Sequence, residues 1–225
     1  MLDNEIIRII EASEANGWVL EPDAKRLMAA IGVAVPVNKW AKTLDEACES
    51  AETIGYPVVA KVVSPRVIHK SDVGGVVVGI TDEGQLLNIY QRFSKLEDFS
   101  GILVEEMIAG VELFVGAKID YQFGPVILLG IGGTGVEIYN DTAIRMAPLT
   151  EGDVASMVAA LKARRVFEGY RGSEPVNMAE LARTIVTFSS LVVSLEAQIE
   201  SIDLNPVMCT AKRCVVADAR IMLNR

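Results

Sequence analysis

Residues 56–80 read YPVVAKVVSPRVIHKSDVGGVVVGI. The β-branched runs at either end, YPVVAKVVS and GGVVVGI, read as strands, and the Pro, Lys, Asp and Gly content between them reads as a loop. One cation, Lys61, interrupts the first run. Burying an unpaired ammonium is costly, so Lys61 either lies on the solvent face of an alternating strand or points into a cleft to meet an anion. The loop holds His69, the single histidine of 225 residues. On its own it reads as a surface or loop imidazole. Its setting between Arg66 and Lys70, ahead of Asp72, Gly74 and Gly75, also suits a ring that meets an anion on a loop able to bend at the Gly-Gly pair.

Outward from this stretch, helix and strand signals alternate. Residues 3–15 carry Ile6, Ile7, Ile9 and Ile10 against polar neighbours, an amphipathic entry helix. PDAKRLMAAIGVAVP reads as helix, a stop at Gly32 and a short strand. TLDEACESAETIG is a helix with Thr43 as N-cap, Glu46 completing a capping box and Gly55 as stop. After GGVVVGI come the helix DEGQLLNIYQRFSKL and the strand GILVEEMI. The second half opens on GVELFVGAKID and GPVILLGIGG, strands separated by the turn signal Gly124-Pro125, followed by the strand-like IRMAPL. Helices then cover TEGDVASMVAALKARRVFEG and MAELARTIVTFSSLVVSLEA, and two strands, IESIDLNPVMCT and RCVVADARIML, close the chain. This order predicts an α/β (α+β) protein with an N-terminal helical arm over residues 1–20, a smaller lobe over 21–100 and a larger one over 101–225.

The bulk numbers narrow the partners. A formal net charge of −9 argues against nucleic acid or an anionic membrane, while leaving room for a local cationic cluster that holds a small anion. Cys48, Cys209 and Cys214 show no CxxC spacing and, with one histidine, cannot build a Cys/His zinc site, which suits reduced thiols in a cytoplasmic protein. The N-terminus does not resemble a secretory signal, and no segment reaches the run of about 18 apolar residues expected of a membrane helix.

Several polar residues stand out. GIGGTGVE supplies Gly130, Gly132, Gly133 and Gly135, compatible with a backbone cradle for phosphate or with a tight turn between strands. In IDLNPV, Asp203 and Asn205 are two apart on one strand and project to one face; Asp218 in VVADAR comes from the predicted neighbouring strand. Two carboxylates and a carboxamide form a hard-oxygen cluster suited to Mg²⁺, or an ordinary hydrogen-bonded Asp/Asn turn. Glu105 and Glu106 end the apolar strand GILVEEM, either on a solvated face or in a site.

In their order and spacing, EPDAKRLMAAIGVAVP, the opening stretch, ILVEEMIAGVELFVGAKID, FGPVILLGIGGTGVEIYND, AIRMAPL and SIDLNPV with VVADARI resemble the ATP-grasp fold. More narrowly they resemble the β subunit of ADP-forming acyl-CoA (acetyl-CoA) synthetases, relatives of the succinyl-CoA synthetase β chain. The resemblance implies two lobes with mainly antiparallel sheets and ATP or ADP in the cleft between them. It implies Lys61 as a phosphate-binding lysine; Glu105, Glu106 and Met107 as the hinge that holds adenine; Glu112 near the ribose; and Arg145 facing the phosphates. Asn205 and Asp218 would hold Mg²⁺, with Asp203 in the place of an acid that many relatives have as Glu. His69 would accept a phosphoryl group from a phosphohistidine on a CoA-binding α subunit, in an α₂β₂ assembly, and deliver it to ADP. An ATP-grasp carboxylate–amine ligase, or a nucleotide-sensing module without catalysis, are the other readings of the same residues.

Overall fold

The computed structural model describes residues 4–133, 141–169 and 174–224. The chain forms two compact units, one of residues 36–108 and one that joins residues 1–35 to 109–225. These units do not follow the sequence-read boundaries at 20 and 100. The N-terminal segment contributes a strand and core side chains to the sheet of the C-terminal half, so it is neither a separate arm nor the start of the smaller lobe.

In the unit of residues 36–108, β2 (Asn38–Ala41), β5 (Ile102–Glu106), β3 (Val58–Val62) and β4 (Val76–Ile80) lie in that order as a four-stranded antiparallel sheet. Helices α3 (Leu44–Ile54) and α4 (Glu83–Phe93) pack on one face of it. Val58, Ala60, Val62, Ile102 and Val104 meet Ala47, Ala51, Leu86, Ile89 and Phe93 there. The alternate residues Val59, Lys61, Leu103 and Glu105 therefore project from the other face. The expected capping box opens α3: Thr43 Oγ1 accepts from the Glu46 amide at 3.2 Å and the Glu46 carboxylate accepts from the Thr43 amide at 3.3 Å.

The other unit contains α1 (Asn4–Ser13), β1 (Trp18–Val19), α2 (Glu21–Ala30), β6 (Val111–Asp120), β7 (Gly124–Ile131), β8 (Thr142–Met146), α5 (Glu151–Ala160), α6 (Met178–Ser194), β9 (Ile199–Cys209), β10 (Cys214–Val216) and β11 (Ala219–Leu223). Its sheet is seven-stranded, ordered β1-β11-β9-β6-β7-β8 with β10 also paired to β9. One core joins Leu113, Val115, Ala117, Ile127, Leu129, Ile202, Leu204 and Ile221 to Ile6 and Ile9 of α1, Leu27 of α2, Val154 and Met157 of α5, and Ile185 and Phe188 of α6. Burying each such Leu, Ile or Phe is worth about 1.5–3 kcal/mol. The helices cover one sheet face, and the period of two sends every second strand residue to the other.

Three local expectations change. The β6–β7 reversal lies on Tyr121, Gln122 and Phe123, because the Asp120 carboxylate accepts from the amides of Gln122 at 2.8 Å and Phe123 at 3.0 Å; Gly124-Pro125 already belongs to β7. The helix expected over 150–169 ends at Ala160 and resumes as a 3₁₀ turn at Arg164–Glu168. The final hairpin is three strands rather than two, since RCVVADARIML breaks at Ala217-Asp218 and both of its halves pair with the 11-residue β9. Thr43→Ala is expected to destabilise the chain by about 1 kcal/mol by removing the α3 cap, with Thr43→Ser near wild type; urea unfolding midpoints at constant slope provide the measurement.

Candidate functional site

In the unit of residues 36–108, the strand registers place Lys61 of β3 opposite Leu103 of β5 and Val59 opposite Glu105. Lys61 and Glu105 thus share the face away from the helices as diagonal neighbours, a separation that long side chains span. Lys61 Nζ lies 3.1 Å from Glu105 Oε2, with side chains 6% and 2% exposed. The solvent-face alternative for Lys61 is therefore excluded, as is the solvated-face alternative for Glu105. The cation is held ready by a carboxylate on the same sheet face.

Glu106 is oriented differently. Its amide donates to the Val37 carbonyl at 2.8 Å and its carboxylate accepts from the Val37 amide at 3.4 Å. Met107, next along, is 42% exposed. His69 is exposed and immediately precedes a 3₁₀ turn at Lys70–Val73, while its neighbour Lys70 is buried. The Gly74-Gly75 pair, expected as the bend of the loop, is anchored. The Gly75 amide donates to the Lys70 carbonyl at 2.7 Å, the Gly75 carbonyl accepts from the Val62 amide at 2.8 Å, and Arg92 Nη2 donates to the Gly74 carbonyl at 3.0 Å. A Cβ on Gly75 would sit 2.5 Å from Val62 Cγ1, so glycine is required by the close approach of loop to strand. The imidazole is thus displayed from a loop tied at its C-terminal end.

In the larger unit, β9 pairs with β6 on one side and β11 on the other, with Asp203 opposite Gly116 and Arg220, and Leu204 opposite Val115 and Ala219. Leu204, Val115 and Ala219 face the helices, so Asp203 and Arg220 face away from them. The register shifts between Leu113 and Val115, where Asn205-Pro206 forms a bulge opposite Phe114. The Asn205 amide donates to the Asp218 carbonyl at 3.2 Å, which brings these two residues together although Asp218 lies in the link between β10 and β11. Glu112 of β6 stands opposite Met208 on the same helix-free face, and its carbonyl accepts from the Gly132 amide at 2.6 Å. That bond gives Gly132 a structural task in the turn after β7; Gly135 lies outside the described residues.

Two sequence-read candidates are placed otherwise than expected. Arg145 of β8 is opposite Ile127, a core residue, so it stands on the helix-covered face; its Nη2 donates to Ser156 Oγ of α5 at 3.2 Å and its Nη1 to the Ile144 carbonyl at 2.8 Å. A one-residue difference in parity moves it away from the face of Glu112, Asp203 and Asn205. Asp203 is engaged by Arg220, whose Nη2 and Nε donate to its Oδ2 at 2.5 and 3.2 Å. Among the described residues no group of three or more His, Cys, Asp or Glu side chains is arranged to hold a metal ion. The residues that could hold Mg²⁺ are fewer, the Asp218 carboxylate and the Asn205 carboxamide oxygen, a pair that would leave positions for water and phosphate oxygens. Arg220 was missed from the sequence, because the register that sets it opposite Asp203 is a property of paired strands.

Truncating one member of a buried ion pair removes charge that offsets the desolvation of the other. Lys61→Met is expected to cost about 3–5 kcal/mol, and Lys61→Met with Glu105→Leu much less than the sum of the single changes. A double-mutant cycle by urea unfolding reads the difference.

Residues 11–223 match the family model described as ATP-grasp domain. The β subunit of acetate–CoA ligase (ADP-forming) I from Pyrococcus furiosus is 37% identical over 96% of this chain and 96% of its own length. 4-Hydroxybutyrate–CoA ligase (ADP-forming) from Nitrosopumilus maritimus is 36% identical over 91% of this chain, which spans only 31% of that longer protein. Among solved structures, the acetyl-coenzyme A synthetase 1 of Ca. Korarchaeum cryptofilum superimposes with a TM-score of 0.85 at 36% identity, over 97% of this chain and 100% of that one. That structure holds coenzyme A and Mg-AMPPCP, with a phosphohistidine segment pointing towards the nucleotide-binding site. With strand order, family model and relatives matched over nearly their whole length in agreement, the chain belongs to the ATP-grasp family and, within it, to the β subunits of ADP-forming acid–CoA ligases.

Proposed function

We propose that the chain is the nucleotide-binding β subunit of an ADP-forming acyl-CoA ligase that works with a separate CoA-binding α subunit as a cytoplasmic α₂β₂ assembly. The reaction is acyl-CoA + ADP + phosphate ⇌ acid + ATP + CoA. The observation that carries this reading is the match to a separate β subunit over 96% of that subunit's length, where longer relatives contain this region as a part. No helix among the described residues is long and apolar enough to cross a membrane.

In this reading His69 accepts the phosphoryl group from the partner. A P–N bond to His69 forms as the partner's P–N bond breaks; the His69 bond then breaks as a β-phosphate oxygen of ADP takes the phosphorus. Exposure of the imidazole supports its meeting both a partner and a nucleotide. Lys61, oriented by Glu105, neutralises phosphate charge, and Glu106 and Met107 line the base. Glu112 lies by the ribose, and Asn205 and Asp218 hold Mg²⁺, which supplies charge neutralisation at the phosphate oxygens. Asp203 orients Arg220 on the same face rather than binding metal. Arg145 is given no part at the phosphates in this reading; its guanidinium donates to Ser156 on the helix-covered face.

Incubation with the α partner, acetyl-CoA and labelled phosphate is expected to place acid-labile label on the wild-type chain and none on His69→Ala. Label that survives His69→Ala overturns the relay, and amine ligation by the chain alone overturns the whole assignment. Asp218→Asn is expected to raise the Mg²⁺ concentration needed for half-maximal ADP binding by about tenfold, near 1.4 kcal/mol, with adenosine binding unchanged; calorimetric titration measures both.

A further inference from the structure

We propose that Cys209 and Cys214 form a thiol modification site: a cross-strand dithiol that a low-molecular-weight disulfide oxidises to an internal disulfide. The site is independent of the acyl-CoA reading, since neither thiol has a part in it.

The strand register sets Cys209 of β9 directly opposite Cys214 of β10. Two backbone bonds fix the parity of this ladder: the Thr210 amide donates to the Arg213 carbonyl at 2.9 Å, and the Ala217 amide donates to the Pro206 carbonyl at 2.9 Å. Hydrogen-bonded and non-hydrogen-bonded pairs alternate along an antiparallel ladder, so Cys209 and Cys214 occupy a non-hydrogen-bonded pair. There opposing Cα atoms are about 4.5 Å apart and the side chains approach most closely. A disulfide takes Cα separations of about 4.4–6.8 Å, which this pair meets without a change of register.

Both thiols are free and 1% exposed, and they enter the core with Val207 and Val216. Their mutual hydrogen bond, together with burial, pushes the Cys209 thiol well above the usual range. Thiolate is therefore scarce while the ladder is closed, and exchange waits on opening of β10. That strand has only three residues; all are buried, and besides its pairing with β9 the Val216 amide donates to the Ala34 carbonyl at 2.8 Å, so access for the oxidant requires that bond and the β9 pairing to open together. Cys48 lies far off in the chain, on α3 in the other unit, and serves as an internal comparison.

The chemistry balances in two exchanges. One cysteine thiolate attacks the sulfur–sulfur bond of the oxidant, forming a mixed disulfide and releasing one thiol. The second cysteine attacks the protein-bound sulfur of that mixed disulfide and releases the other. Two protein thiols give up two electrons and two protons, and the oxidant leaves as two thiols. The bond would tie the end of β9 to the strand that leads into Asp218.

The native full chain is incubated with oxidised glutathione, quenched in acid, alkylated under denaturing conditions and mapped by mass spectrometry. The expected result is loss of alkylation at Cys209 and Cys214 together, a linked pair of peptides, and recovery of both thiols on reduction. Cys48→Ser is expected to behave the same way, so the test does not depend on a core substitution. Cys209→Ser should form no internal bond and leave at most a glutathione adduct on Cys214. Full alkylation of both thiols after β10 amides have exchanged with solvent overturns the proposal, as does a stable glutathione adduct on either one in the wild type.

Discussion

Each sheet of this protein is covered by helices on one face, and the two-residue period of a strand then decides what every polar side chain can do. The dependence is sharpest at β9, held between β6 and β11, where Leu204 must enter the core and Asp203 must leave it. A slip of β9 by one residue would turn Asp203 into the core and Ile202 and Leu204 out of it, at about 1.5–3 kcal/mol for each inverted apolar side chain. The bulge at Asn205-Pro206 adjusts the register without inverting it. It also brings the Asn205 amide to the Asp218 carbonyl.

The two charged pairs on helix-free faces differ in what holds them. Lys61 and Glu105 are almost fully withdrawn from water, so removing one charge and leaving the other buried is costly. Asp203 and Arg220, about a quarter exposed, have water as an alternative partner and contribute far less to folding.

Much of the secondary structure was legible because periodicity and caps are local. The amphipathic first helix, the capping box at Thr43 and Glu46, and the strands around Lys61 all lie where their spacing placed them. The final strand was read as continuous because RCVVADARIML has no breaker stronger than Asp218, whereas in the fold its two halves pair with different parts of one long partner. Gly124-Pro125 is a turn signal by composition, yet the Asp120 carboxylate moved the reversal to the preceding residues by capturing two amides. The unit boundary at residue 35 was hidden because β1 pairs with β11, roughly 200 residues away along the chain.

The sequence by itself determined the kinds of residue available and their order: one imidazole on a Gly-containing loop, one lysine in an apolar strand, and a short set of hard-oxygen donors near the C-terminus. Those are properties of composition and spacing, which survive unfolding. Only the tertiary structure decided that Lys61 is buried against Glu105, that Arg145 lies on the helix-covered face, that Arg220 takes Asp203, and that Cys209 meets Cys214. Each of these depends on which strand lies beside which and in what register, and that is settled by the burial of residues far apart in the chain.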